Sequence, residues 1–164
     1  MSGRASLSRR RETAAMRIGV IFLASAFILP AAAKTLAYGE RAGMEVTIVE
    51  KSGIGTAHAK ILTKHIRQNA IGYCRDYVGK VTEACIAKEL KTPLHLEITA
   101  NCKTGAFVTL YDAQMLFKGR NSDGGAADYL ITDVESGRTL DGSGASSYGS
   151  TIDQFHALCP SRVK

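Results

Sequence analysis

Four cysteines, at positions 74, 85, 102 and 159, set the tightest limit on how this chain can fold. In one continuous helix, residues as far apart as Cys74 and Cys85 would stand roughly 16 Å from each other, well beyond the 4.4 to 6.8 Å that separates bridged Cα atoms. A bridge between them therefore demands a change of direction, and Gly79 followed by Thr82 offers a helix stop and a cap for a second helix. Cys102 is then left to bond Cys159. That pairing is favoured, and the other two stay open on sequence alone. None of the spacings resembles the close cysteine pairs of structural zinc sites, so a disulfide framework is expected, with no metal and no cofactor.

Disulfides imply an oxidising compartment, and the start of the chain agrees. Arg4, Arg9, Arg10, Arg11 and Arg17 form a basic end, Ile18 to Leu29 is an apolar run, and Pro30 precedes Ala31-Ala32-Ala33. This is the order of a secretory signal peptide over residues 1–33, with cleavage expected after Ala33. Met16 could itself start such a signal. The apolar run is shorter than the ~20 residues of a spanning helix, so no stable membrane anchor is expected after cleavage. Glu12 and Thr13 sit where a twin-arginine signal wants apolar residues, which argues for export in the unfolded state.

The leader also carries most of the charge. The whole chain has a net charge of +6, but residues 1–33 contain five arginines and one glutamate, which leaves +2 on the exported part. A basic nucleic-acid-binding face is therefore not indicated. Residues 34–164 suit a single domain.

Within that domain Lys34 to Gly43 reads as a polar lead-in, and Glu45 to Glu50 as a β-branched strand. Leu62, Ile66, Ala70, Tyr73 and Tyr77 recur at helical intervals, which predicts one long helix over 57–77. A short helix from Glu83 to Lys91 should stop before Pro93. Leu94, Leu96, Ile98 and Ala100 alternate with polar residues as the inner face of a strand. Further strands are expected over 106–111, 114–118 and 129–134, with Arg138 to Leu140 as a short hairpin extension. The stretches 119–127 and 141–150 read as surface loops. Thr151 and Gln154 have capping-box spacing for a last helix that carries Cys159 toward the core and ends at Pro160. The expected fold is α+β: an antiparallel sheet of about four to five strands with one long and two short helices packed on one face, stapled by disulfides.

Chemistry is harder to place. Gly53-Ile54-Gly55-Thr56-Ala57-His58 imitates a dinucleotide-binding turn, but His58 replaces the small third residue and no second parallel strand with a terminal acid follows. His58 and His65 lack the close spacing and companion acid of helical metal pairs and read as solvated histidines; His95 and His156 have no position assignable from sequence. No Gly-x-Ser-x-Gly elbow is present, and no carboxylate pair announces glycosidase chemistry.

The loop from Ser143 through Gly144-Ala145-Ser146-Ser147 to Tyr148 is similar to the Ser-Gly-x-x-Tyr loop of bacterial periplasmic inhibitors of c-type lysozyme, with one extra residue before the tyrosine. That resemblance implies binding contacts at Ser143 and Tyr148; those inhibitors, however, are β-barrels without a long helix. From Asn101-Cys102-Lys103-Thr104-Gly105 through Phe155-His156-Ala157-Leu158-Cys159-Pro160 the chain resembles small exported alphaproteobacterial proteins of unknown function, some considered as secreted effectors of intracellular pathogens. The expectation is an exported, non-enzymatic protein, periplasmic or secreted, that binds a protein or cell-envelope partner and is open to a host-directed role. The alternatives are a lysozyme-inhibitor-like protein acting through Ser143 and Tyr148, or a hydrolase whose site assembles only in three dimensions.

Overall fold

A computed structural model describes residues 34–164, and the expected signal peptide at 1–33 lies outside the described residues. Seven strands form one antiparallel sheet whose spatial order follows the chain: β1 (Thr35–Ala37), β2 (Glu45–Ser52), β3 (Ala59–Lys64), β4 (Glu97–Asn101), β5 (Ala106–Val108), β6 (Gln114–Arg120) and β7 (Tyr129–Asp133). Helices α1 (Arg67–Asp76) and α2 (Glu83–Glu89) lie between β3 and β4, and α3 (Tyr148–Leu158) follows a single 3₁₀ turn at Gly144–Ser146. The α+β class and both disulfides hold, whereas the sheet has seven strands and not four to five. The bridges are Cys74–Cys85 and Cys102–Cys159, with Cα separations of 6.1 and 5.5 Å.

The expected long helix over 57–77 is half strand. Ala59, Ile61 and Thr63 are buried on alternate positions, and the segment pairs with β2 on one side and β4 on the other. Gly53 and Thr56 make the reversal: Gly53 has φ 58°, and a Cβ there would meet the His58 carbonyl oxygen at 2.4 Å. The Thr56 hydroxyl closes the turn on the Gly53 carbonyl at 2.6 Å. The Gly-rich motif is thus a hairpin turn, and helix begins only after His65. A second correction concerns the lead-in, where Leu36 and Tyr38 are buried core residues and Thr35–Ala37 forms the first edge strand. A third concerns Leu96, which precedes β4 and is exposed rather than inward.

Two cores result. The larger one gathers Val46, Ile61, Ile98, Phe107, Phe117 and Ile131 from the sheet under Phe155, Leu158 and Cys159 of α3. Phe155 stacks on Phe117 with centroids 4.4 Å apart. The smaller one belongs to α1 and α2: Ala70, Cys74 and Ile86, with the Cys74–Cys85 bridge inside it. Thr82 caps α2 by accepting the Cys85 N–H at 3.1 Å, as expected. Thr47 points away from the face of its inward neighbour Val46, and its hydroxyl donates to Asn69 of α1. The helices therefore do not share one face of the sheet; α3 covers the core face and α1 meets the other side of β2.

Helix α3 also guards both edges. The Gln154 amide nitrogen donates to the Ala37 carbonyl on β1 at 3.0 Å, while its oxygen accepts the Leu110 N–H at 2.9 Å. At the other edge the Tyr129 N–H of β7 donates to the Tyr148 hydroxyl, and Leu140 and Arg138 pair with Ile131 and Asp133. Unpaired edges invite association with other chains, and these contacts blunt them. Helix α3 begins three residues before the expected Thr151 cap because its first turn is satisfied from afar: the Glu40 carboxylate accepts the Ser150 N–H at 2.6 Å. An anion at a helix N-terminus is favoured by the macrodipole.

Candidate functional site

Ser143 and Tyr148, the residues suggested as partner contacts, have local duties in the fold. Ser143 is exposed; its backbone N–H and its hydroxyl both donate to Asp141, at 2.9 and 2.6 Å, and the hydroxyl caps the 3₁₀ turn. These bonds hold the Asp141 carboxyl down at about 2, with Ser143 the first cause. Tyr148 does not project from a loop. It opens α3, is half-buried, and its hydroxyl is spent on the β7 edge. Tyr148→Phe should therefore lower stability by about 1 kcal/mol, the ordinary worth of such a bond, as read from a urea midpoint. A solvent-facing anchor would tolerate that change at no cost.

A cleft of about 190 Å³ opens beside this segment, with Tyr38, Tyr111, Asp133, Arg138, Ser147 and Thr151 on its walls. Its serines are not poised for nucleophilic chemistry. Ser146 and Ser150 donate their hydroxyls to the carbonyls of Ser143 and Ser147, and among the described residues no serine or threonine hydroxyl bonds a histidine ring. His95 stands 3.6 Å from Asp112 on an exposed turn, and His58 is exposed as expected.

His65 is different. It was expected in solvent, yet its side chain is only 7% exposed, and neither ring nitrogen has a hydrogen-bond partner. It lies in the link between β3 and α1, 3.8 Å from the Glu89 carboxylate at the end of α2. The Tyr38 hydroxyl donates to the same carboxylate oxygen, and the Tyr38 ring meets His65 edge-on with centroids 5.5 Å apart. Tyr111 completes the group from the β5–β6 turn, 6.2 Å from Tyr38. Burial, opposed by Glu89, pulls the His65 imidazole below its ordinary value. Burial and then the Glu89 hydrogen bond push the Tyr38 phenol far up, and burial followed by the Glu89 charge raises Tyr111. In the resting molecule this is a neutral imidazole and two protonated phenols around a buried acid. Sequence reasoning missed it because its members come from four elements, and a polar residue at a helix end or a strand end carries no mark of burial.

A third feature is apolar and outward. Between α1 and α2 the five residues Tyr77 to Val81 present Tyr77, Val78 and Val81 at 47%, 50% and 49% exposure. The Cys74–Cys85 bridge closes the base of this tip, the Lys80 N–H reaches back to the Cys74 carbonyl at 3.0 Å, and the Arg41 guanidinium lies over the Tyr77 ring at 4.8 Å. Among the described residues no helix is long and apolar enough to cross a membrane, and no group of three or more histidine, cysteine, aspartate or glutamate side chains is placed to hold a metal. Compared with protein-family models, curated proteins and solved structures, the chain matches none.

Proposed function

We propose that the chain is an exported, non-enzymatic protein that binds another macromolecule, a protein or a cell-envelope component, in the periplasm or outside the cell. The observation that carries this reading is the stapled tip. Single exposed apolar side chains are ordinary, but three within five residues on a cross-linked hairpin form a patch whose binding costs little conformational entropy. Tyr77 supplies the large, rigid contact that interface centres favour. The two disulfides support an oxidising compartment, and a host-directed role for the secreted form is the wider version of the same proposal.

The test is a comparison of the oxidised protein with Val78→Asp/Val81→Asp, each immobilised and challenged with periplasmic and culture-medium fractions of the native host. Both sites are exposed, so the melting temperature should not move, while retention of the partner should fall at least tenfold. Equal retention by both forms would remove the tip from the interface.

A further inference from the structure

The cluster of Tyr38, His65, Glu89 and Tyr111 has no part in the proposal above. Its oddest feature is His65, whose two ring nitrogens are both enclosed and both without a hydrogen-bond partner. The gap of 3.8 Å between its Nε2 and Glu89 Oε1 is too wide for a hydrogen bond. It is, however, a separation that two ligands of one metal ion adopt, since donors at about 2.0 to 2.2 Å from an ion stand about 3 to 4 Å apart. The same Glu89 oxygen takes the Tyr38 hydroxyl, and Tyr111 adds a second phenol from the solvent side, where its ring is half-exposed.

We propose that Tyr38, His65, Glu89 and Tyr111 form a binding site for a single ferric ion. The donors are three oxygens and one nitrogen, with no sulfur because all four cysteines are in disulfides; such a set suits a hard cation and not a soft one. Charge selects the valence. A buried ion needs compensation, and one carboxylate with two phenolates supplies three negative charges beside a neutral imidazole. A phenol binds an ion as phenolate and must give up its proton to do so, which calls for a strongly Lewis-acidic ion. On loading, the Tyr38 to Glu89 hydrogen bond gives way to two oxygen ligands, and both phenol protons leave to solvent. Tyr111 is the open wall through which a chelated ion exchanges.

The experiment is titration of the oxidised protein with ferric nitrilotriacetate at neutral pH, following visible absorption and proton release together. The expected result is a phenolate-to-iron charge-transfer band that saturates at one ferric ion per chain, with two protons released. Tyr111→Phe, a change at a half-exposed ring that leaves the fold intact, should weaken binding at least tenfold and shift the band. Tyr38→Phe together with Tyr111→Phe should abolish the band, and His65→Gln should weaken binding while the colour persists. The site is disproved by the absence of a visible band, by a band that survives loss of both phenols, or by displacement of the iron with one equivalent of zinc. Thermal melts of the metal-free variants separate lost binding from lost folding.

Discussion

Removing the Cys102–Cys159 bridge, by substituting both cysteines with alanine, should cost about 4 kcal/mol, the value that the loop-entropy relation gives for a closure this long. The bridge spans 57 residues and ties the turn after β4 to the end of α3, with Cys159 fully buried in the main core. Its loss therefore loosens the helix that holds Phe155 and Leu158 on the sheet. Guanidinium unfolding of the two forms, followed by far-ultraviolet circular dichroism, checks the figure. The Cys74–Cys85 bridge closes only eleven residues, a loop for which the same relation gives about 3 kcal/mol. It also lies in the separate core of α1 and α2, so its removal should loosen that hairpin before the sheet. Hydrogen exchange on the Cys74→Ala/Cys85→Ala form should then accelerate between residues 67 and 89 and spare β4 to β7. Uniform acceleration would mean that the two cores unfold as one.

What could be read in the sequence follows from the range of the forces involved. Sequence favoured the Cys74–Cys85 bridge because Gly79 and Thr82 allow the turn it needs, while leaving the other pairings open, and the Thr82 cap was legible because it acts over three residues. Period-two alternation in Ile98 and Ala100 marked β4. The segment from Ala59 to Lys64 was illegible for the opposite reason. Leu62 and Ile66 fit a helical stripe, but Ile61 and Thr63 fit a strand equally, and the choice is made by pairing with β2 and with a partner more than thirty residues away in β4. The start of α3 escaped because its capping carboxylate, Glu40, is 110 residues distant. The buried cluster escaped because burial of His65 is decided by the docking of α2, and nothing within its own neighbourhood announces it.

Gln154 has capping-box spacing with Thr151, yet its side chain serves a different role. It is 2% exposed and its two amide atoms serve two backbone groups, the Ala37 carbonyl on the β1 edge and the Leu110 N–H beyond β5. Gln154→Leu keeps the volume and leaves both groups without a partner. Each such orphan costs about 1 to 3 kcal/mol, so a total loss of about 2 to 6 kcal/mol is expected, large against the 5 to 15 kcal/mol that stabilises an ordinary domain. A denaturation midpoint measures the sum, and the Leu110 amide isolates one half of it. Leu110 belongs to no strand, yet its N–H is held by the Gln154 side chain, so exchange at that one amide should be slow in the native protein. In Gln154→Leu it should accelerate far more than the amides of β6, which draw their partners from neighbouring strands. If Leu110 stayed protected, another group would have replaced the glutamine and the helix would not be the clasp between β1 and the β5–β6 turn.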